Sequence, residues 1–376
     1  MDLNALRDEI DKIDDELLAL LLRRMAITQD VARYKIEHQL PVLNQRREDE
    51  ILRNVAQKSG PLAAPMKSIF AAIMDVSRAG QHQLMGGGDV LKRTILEAGH
   101  DDITQKACTV ACPGVKGSYS SEAARKLFGR AELRYCTDFS DVFEAVKNQE
   151  ADYGIVPVEN STAGSVHETY DLIMKYRFYM VGAVDLSIHN CLCAPKGVSL
   201  DDVKRVYSHP QGLMQCADFI KEHSMSTVKY SNTAAAAKFV SESGEKDAAA
   251  ICSRFAGEEY GLEILKEDIQ ISDTNATRFI IISRTLIISD DADKISLIFS
   301  IPHVTGSLYR ILGRFSTAGL NLTKLESRPL RQENFSYHFY LDLGGSIHSE
   351  QTLSLICALS RELPSFTFLG NYREVI

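Results

Sequence analysis

Apolar residues recur at alternating intervals of three and four at the start of the chain. They are Leu3, Leu6, Ile10, Ile13, Leu17 and Leu20. This spacing predicts one long helix whose apolar seam packs against other helices. Continuing the spacing places Arg24 on the seam, where a charge is costly unless it meets a partner. We therefore expect Arg24 to bind an anion.

Two further cations on this helix have different geometry. Lys35 is turned to within about 20° of the face of Arg24 and lies roughly 16 Å along the axis. Both cations could converge on one small anion, although long cationic side chains commonly reach solvent, and for Lys35 alone that is the simpler interpretation. Arg7 lies about 25 Å before Arg24 and is rotated by about 100°. A functional Arg7 would therefore require a site that another chain completes.

The pattern predicts two more helices. Pro41 ends the first helix, and the second runs from Gln45 to Lys58. The third begins at Pro65, a favoured first-turn residue. Its core-facing row includes Ser77 and Gln81, two neutral hydrogen-bonding groups. Three helices of unequal length, one of them too long to pack on itself, predict an all-α intertwined dimer.

From Lys106 the pattern alternates between apolar strands and amphipathic helices. The segment Ala151–Asp171 predicts a strand from Gly154 to Val158, a polar turn with Glu159 and Asn160, and a helix. Ligands of α/β proteins bind where strands end, and a helix N-terminus favours an anion. The alternative is a residue that only caps the helix, which does not explain the adjacent Glu159. Polar turns after several other strands predict two α/β lobes with a cleft between them.

A third pattern follows the acidic stretch Asp290–Asp293. It predicts a strand Ile295–Ile301, a helix Gly306–Thr317, strands Leu320–Ser327 and Ser336–Leu343, a helix Ser349–Leu363 and a strand Phe366–Leu369. This βαββαβ order is typical of α+β ferredoxin-like domains.

Composition narrows the functional class. The 376 residues are too many for one typical domain, and the net charge of −8 argues against a nucleic-acid binder. No signal sequence and no membrane-spanning run is apparent, so we expect a cytoplasmic protein that does not bind membranes. The eight cysteines lack paired metal-binding spacing, which favours buried reduced thiols and leaves metal binding as a minor possibility.

The N-terminal segment resembles the all-helical chorismate mutase domain fused to bacterial prephenate dehydratases. The matching motifs are ALR at Ala5–Arg7, LLRRM around Arg24, the YK of Lys35, PVLNQRRE at Pro41–Glu48, and the pair Ser77 and Gln81. The resemblance implies a role for each. Arg24 and the partner subunit's Arg7 would hold the two substrate carboxylates, and Ser77 would contact a carboxylate. Lys35 and Gln81 would reach the ether oxygen. Glu48 and the backbone near Asn44 would bind the ring hydroxyl. Asn44 stands where the family more often has Asp.

The central segment resembles the prephenate dehydratase catalytic domain. The motifs are GSYS at Gly117–Ser120, VPVENSTAGSV at Val156–Val166, YSHPQ at Tyr207–Gln211 and NATRF at Asn275–Phe279. The resemblance implies a two-lobed fold like a periplasmic binding protein, with Thr277 at the catalytic centre and Glu159, Asn160, Ser208 and Gln215 in or near the cleft. Arg278 would bind a carboxylate or brace the turn. The proton donor would be Thr277 or Glu159, and His209 before Pro210 is better explained as a structural turn.

The C-terminal segment resembles an ACT regulatory domain. Two motifs carry this resemblance: Thr305, Gly306, Ser307 and Leu308 match one family motif, and Glu326, Ser327, Arg328 and Pro329 match ESRP. The family uses these motifs as a phenylalanine site, usually across a dimer interface. Glu326 or nearby carbonyls would meet the ligand's ammonium, or Glu326 would hold the motif's own geometry.

Together these patterns predict a multidomain chain. We expect a mutase domain at 1–85, a linker at 86–105 marked by Gly86, Gly87 and Gly88, a dehydratase domain at 106–284 and an ACT domain at 294–376. The predicted function is a bifunctional enzyme of phenylalanine biosynthesis, at least dimeric, inhibited by L-phenylalanine and without cofactor or metal. The alternative is a non-catalytic sensor that binds aromatic metabolites in the two-lobed and ACT domains. The sequence leaves open whether arogenate is also a substrate.

Overall fold

The computed structural model describes residues 2–85, 90–100, 102–105, 107–272, 274–301, 303, 305–329 and 337–375. The chain divides into two compact units. One is Met1–Glu97 with Leu297–Phe368, and the other is Ala98–Ser296 with Leu369–Ile376. No helix among these residues is both long enough and apolar enough to cross a membrane.

The N-terminal region is helical, as predicted. Its helices are α1 (Leu3–Glu37), α2 (Gln45–Lys58), α3 (Ala63–Leu84) and α4 (Val90–Leu96). The α1 helix ends four residues before Pro41, and Pro65 lies in the first turn of α3 rather than at its first position. The glycines of the predicted linker lie outside the described residues.

The apolar seam of α1 is not covered within one chain. Leu3, Ile10 and Leu20 are 60%, 55% and 61% exposed. The helix buries only Ala32 fully. A surface of this kind is typical of an interface with another protein chain.

The second unit begins with a mixed α/β lobe. Its first elements are β1 (Thr109–Pro113), α5 (Tyr119–Phe128), β2 (Glu132–Cys136), α6 (Phe139–Lys147), β3 (Tyr153–Asn160), β4 (Gly164–Ser165), α7 (His167–Tyr176) and β5 (Tyr179–Ser187). The chain then forms another lobe and returns to the first.

The other lobe has its own five-stranded sheet. Its elements are β6 (Cys191–Ala194), β7 (Arg205–Ser208), α8 (Pro210–Gln215), α9 (Ala217–Glu222), β8 (Ser226–Lys229), α10 (Thr233–Ser243), β9 (Ala248–Cys252), α11 (Arg254–Glu259) and β10 (Glu263–Lys266). The strand order is β10-β6-β9-β7-β8. The chain returns through β11 (Ala276–Ser283), which lies between β3 and β5 in the first sheet. The predicted two α/β lobes are therefore confirmed.

The C-terminal elements follow the predicted βαββαβ order. They are β12 (Lys294–Ser300), α12 (Ser307–Thr317), β13 (Asn321–Pro329), β14 (Tyr337–Gly344), α13 (Glu350–Glu362) and β15 (Ser365–Tyr372). The sheet order is β13-β14-β12-β15. A last strand, β16 (Glu374–Val375), leaves this sheet and pairs in parallel with β5 in the first lobe.

One local prediction is wrong. The strand β3 extends through Glu159 and Asn160, and a hairpin turn joins it to β4 before α7 begins at His167. Asn160 caps this turn itself, since its Oδ1 accepts hydrogen bonds from the backbone N–H groups of Thr162 (3.1 Å) and Ala163 (2.9 Å). Glu159 and Asn160 therefore lie on a strand and not at a helix N-terminus.

No disulfide joins any of the eight cysteines, all of which lie in the described part of the chain. Seven are buried and Cys108 is partly buried. Burial raises the pKa of the Cys112 and Cys216 thiols to about 12, which keeps them protonated. The expectation of buried thiols is confirmed for seven of the eight cysteines and is wrong for Cys108, which is only partly buried.

Candidate functional sites

The helical region brings together side chains from two helices. The α1 helix supplies Arg24 and Lys35, and α3 supplies Ser77 and Gln81, which are 4% and 7% exposed. A guanidinium nitrogen of Arg24 donates to Ser77 Oγ. Lys35 Nζ donates to Gln81 Oε1 at 3.0 Å and to the carbonyl of Val42 at 2.5 Å. Two cations on one helix are thus each held by a neutral group on another helix.

Partial burial changes the character of Lys35. Desolvation lowers the pKa of Lys35 from its ordinary value, and the nearby Glu48 carboxylate opposes this shift. The amine keeps a nearby anionic neighbour and two hydrogen-bond acceptors. A partly desolvated cation interacts more strongly with a bound anion than a fully hydrated one does.

Two predicted residues do not join this cluster through their side chains. Asn44 is the N-cap of α2, and its Oδ1 accepts from the backbone N–H of Arg47 at 3.1 Å. Asp would cap equally well, so Asn at this position preserves the local fold. Arg7 is exposed near the start of α1, about 25 Å from Arg24 by helix geometry.

The strand β11 of the two-lobed unit pairs with β3 in a defined register. Thr277 lies opposite Asn160, and Arg278 lies opposite Glu159. Asn160 Nδ2 donates to Thr277 Oγ1 at 2.9 Å, and also contacts Asn275 Oδ1 at 2.8 Å. Thr277 thereby receives a hydrogen bond, which leaves its own proton available to a substrate.

A polar chain continues from this pair to the other lobe. Thr162 Oγ1 donates to Asn160 Oδ1 at 2.7 Å. Gln215 on α8 reaches the same hydroxyl at 3.5 Å and accepts from Asn190 at 3.3 Å. The predicted residues Asn160, Thr277 and Gln215 therefore share one continuous polar surface between the lobes.

Arg278 and Glu159 belong to the opposite face of the sheet. Successive residues of a strand alternate between faces, so neither shares the face of Thr277. Arg278 binds both oxygens of Asp185 at 2.9 Å, contacts Glu374 at 2.6 Å and lies 3.8 Å from Glu159. Burial disfavours its charge, but these three carboxylates prevail and raise the pKa of Arg278. A guanidinium already paired with three acids favours the bracing role over binding of a substrate carboxylate.

Two other residues of the predicted cleft have structural partners. Ser208 is fully buried, and its hydroxyl donates to the carbonyl of Ile251 at 2.6 Å. His209 is the N-cap of α8 and accepts from the N–H of Gln211 at 3.3 Å, and burial lowers the pKa of its imidazole. These contacts support the structural interpretation of His209 and assign Ser208 a similar role in this state.

The C-terminal motifs lie at a helix start and on an edge strand. Gly306 is the N-cap of α12 with φ of +81°, a conformation that favours glycine. Thr305, Ser307 and Leu308 surround it, so backbone N–H groups face the helix start. The ESRP residues lie on β13, the first strand in the order of its sheet, paired with β14 from Glu326 to Pro329.

Comparison with known proteins identifies the chain. The Chorismate mutase type II family profile matches residues 6–82, and the Prephenate dehydratase family profile matches residues 110–286. A bifunctional chorismate mutase/prephenate dehydratase from Aquifex aeolicus (strain VF5) is 30% identical over 378 residues, covering 100% of this chain and 99% of that protein. The chain belongs to the bifunctional chorismate mutase/prephenate dehydratase family.

Two further relatives each cover 70% of this chain. Arogenate dehydratase 2 from Petunia hybrida is 37% identical over 279 residues, covering 70% of this chain and 71% of that protein. A prephenate dehydratase from Arthrobacter aurescens, solved in complex with L-Phe, is 32% identical with a TM-score of 0.64, covering 70% of this chain and 89% of that one.

The chain carries both activities of this family. It rearranges chorismate to prephenate, then removes water and carbon dioxide from prephenate to give phenylpyruvate, a step of phenylalanine biosynthesis. The prediction of a bifunctional enzyme is confirmed in preference to the non-catalytic sensor.

Sequence reasoning missed one prominent residue of the helical region. Arg78 follows Ser77 on α3, is 11% exposed, and donates to Glu48 and Asp75. Its signal in the sequence is the i, i+3 spacing from Asp75, which favours an ion pair on a helix. Nothing in the sequence alone shows that Glu48 also reaches it from α2.

Proposed function

We propose that Arg24, Lys35, Ser77 and Gln81, with Glu48 of α2 near Lys35, form the mutase site. The observation that carries this proposal is the convergence of Arg24 with Ser77 and of Lys35 with Gln81. Chorismate rearrangement is pericyclic and requires no nucleophile, metal or cofactor. It requires a compact substrate conformer and positive charge near the breaking C–O bond.

The cluster supports specific roles for its members. Arg24 and Ser77 bind one carboxylate, Arg7 of the partner subunit binds the other, Lys35 and Gln81 contact the ether oxygen, and Glu48 with the backbone at Asn44 binds the ring hydroxyl. The cations stabilise the negative charge that builds on the ether oxygen as its bond to the ring breaks. The same contacts hold the reacting carbons close together.

We propose that Thr277 is the proton donor of the dehydratase site. Asn160 donates to Thr277 Oγ1, which directs the hydroxyl proton away from the strand pair. That proton passes to the departing hydroxyl group of prephenate, which leaves as water. The carboxylate leaves as carbon dioxide, its bonding electrons enter the ring as it becomes aromatic, and solvent reprotonates the threonine. Glu159, next to Arg278, supports the strand from the other face.

Purified protein incubated with chorismate tests these assignments. Chorismate disappearance, transient prephenate and phenylpyruvate absorbance are followed in one reaction. The proposal expects both steps, and Arg24→Ala and Thr277→Val should each block only one of them. Ligand binding without turnover would instead support the sensor.

We also propose a homodimer built on α1. Its exposed seam has the heptad-like spacing of a helix–helix interface, and Arg7 cannot reach the Arg24 site of its own chain. A second copy laid along α1 would cover the seam and deliver its Arg7. Sedimentation of the wild-type protein, compared with a Leu17→Glu variant, tests this assembly.

We propose that L-phenylalanine inhibits the dehydratase through the C-terminal domain. The αL turn at Gly306 offers backbone N–H groups suited to a carboxylate, and β13 presents Glu326 and its carbonyls to the ammonium. The L-Phe complex of the Arthrobacter aurescens relative supports a ligand of this kind. Inhibition requires tighter binding to the inactive state than to the active one.

We propose domain boundaries at 1–85, 86–105, 106–284 and 294–376. The profile matches at 6–82 and 110–286 support them. The structure adds that β16 at the chain's end pairs with β5 of the dehydratase lobe. Truncation after Ser289 would remove the C-terminal domain and so test its role in inhibition, but it would also remove Glu374, an ion-pair partner of Arg278. Point variants in the C-terminal domain are therefore the cleaner test of regulation.

A further inference from the structure

Six ionisable side chains meet where α3 faces α2 and the C-terminal helices α12 and α13. They belong to Glu48, Asp75, Arg78, His82, Arg314 and Glu362, and their side chains are between 7% and 20% exposed. Charges buried to this degree are tolerated only when each is paired. The cluster is therefore an organised network, unlike surface ion pairs that contribute little.

Arg78 lies at the centre of this network. Its Nη1 donates to Glu48, its Nη2 donates to Asp75, and its Nε lies 3.9 Å from Glu362 Oε2. One planar guanidinium thus faces three carboxylates through three different nitrogens. The guanidinium is rigid and planar. Any two of these carboxylates therefore fix the orientation of the Arg78 guanidinium, and with it the direction of the nitrogen that faces the third carboxylate.

Glu362 is itself held firmly at the end of α13. Arg314 on α12 binds both of its oxygens, at 2.6 Å and 3.2 Å, and His82 Nε2 lies 2.7 Å from Oε1. Burial opposes ionisation of Glu362, but His82 and Arg314 prevail and lower the pKa of this carboxyl to about 2. Glu362 is therefore a fixed anion at neutral pH.

We propose that Arg78 is a positioning residue for the mutase reaction and that Glu362 of the C-terminal domain holds Arg78 in place. This inference rests on the proposed mutase site, because it takes Glu48 as a substrate-binding group of that site. Arg78 directs the Glu48 carboxylate, and Asp75 and Glu362 together orient Arg78. The mutase site of this chain is then completed by a residue more than 270 positions away from α3, outside the segment that matches the mutase family.

The test measures mutase kcat and KM for the full-length variants Glu362→Gln and Arg78→Lys. We expect kcat/KM for chorismate to fall roughly tenfold in each, because Glu362→Gln removes a charge that faces Arg78 at 3.9 Å and Arg78→Lys removes the rigid fork that meets Glu48. The matched control is Glu350→Gln, which removes a charge from an exposed position on the same helix and should leave the mutase unchanged. Dehydratase turnover of added prephenate, unchanged in every variant, reports that each chain is folded.

A double-mutant cycle with Glu48→Gln separates positioning from general structural damage. If Glu362 acts through Arg78 on Glu48, its substitution costs little further activity once Glu48 is already Gln. Full additivity of the two losses would overturn the proposal. If Glu362→Gln does not fold, the same cycle is measured with Glu362→Asp, which keeps the negative charge but shortens the side chain that faces Arg78.

Different results would refute the proposed mutase site and the positioning role of Arg78 and Glu362. Wild-type mutase activity in Glu48→Gln would refute the proposed site itself. Impaired Glu48→Gln together with wild-type activity in Glu362→Gln and Arg78→Lys would leave the site intact and refute the positioning role alone.

Discussion

Replacing Thr277 by Val is the sharpest perturbation of the dehydratase. Valine keeps the branched shape and removes only the hydroxyl. Asn160 Nδ2 loses its 2.9 Å contact with that hydroxyl but keeps Asn275 Oδ1 at 2.8 Å and the carbonyl of Ala276 at 3.2 Å. No buried donor is left unsatisfied, so the folding cost is at most about 1 kcal/mol, a shift of a few degrees in melting temperature.

The effect on catalysis is larger because the lost group acts in the transition state. A positioned proton donor contributes about 10²-fold or more, which corresponds to about 2.7 kcal/mol of activation free energy. We expect kcat for prephenate to fall by about this factor with mutase activity intact. Initial rates of phenylpyruvate formation from prephenate measure it.

Two controls make the result decisive. Thr137→Val removes a hydroxyl from an exposed threonine after β2 and should leave kcat unchanged. Glu159→Gln, on the other sheet face, should lower kcat less than Thr277→Val does. An unchanged kcat in Thr277→Val with a large loss in Glu159→Gln would transfer the donor role to Glu159 and refute the reasoning.

Three further predictions concern the other sites. Arg24→Ala should abolish chorismate turnover but leave dehydration of added prephenate near wild type, and loss of both in a folded protein would contradict independent sites. Mixed Arg7→Ala and Arg24→Ala chains should regain some mutase activity through heterodimers with one intact site, and no recovery despite confirmed subunit exchange would exclude the shared site. Gly306→Trp should abolish inhibition by phenylalanine, measured as the dehydratase rate at increasing phenylalanine concentration. Gly319→Trp, at another positive-φ glycine with open space around it, should leave the inhibition unchanged. Unchanged sensitivity of Gly306→Trp would place phenylalanine elsewhere.

Local pattern predicted much of the fold. The bounds of α2 agree residue for residue, and the βαββαβ order of the C-terminal domain is confirmed. These elements are encoded by spacing and capping within short windows. Local pattern did not predict the turn after β3 correctly. There Asn160 accepts hydrogen bonds from backbone N–H groups of a hairpin instead of starting a helix. Propensity does not distinguish these two uses of an Asn side chain.

Contacts distant in sequence were beyond prediction. Arg278 was ambiguous in the sequence, and its partners Asp185 and Glu374 come from positions almost two hundred residues apart. Arg78 was missed because Glu362 is supplied by the C-terminal domain. Motif spacing shows which side chains have the chemistry to bind a substrate. It does not show which of them already form ion pairs or hydrogen bonds with residues distant in the sequence.

We propose that one chain holds two independent sites, which are joined only by released prephenate. Complementation tests it directly: Arg24→Ala and Thr277→Val proteins are assayed with chorismate, separately and mixed. We predict almost no phenylpyruvate from either alone, and its appearance after a lag in the mixture as prephenate from one protein reaches the other. A mixture that forms no phenylpyruvate, although each variant retains its remaining activity, would contradict the account.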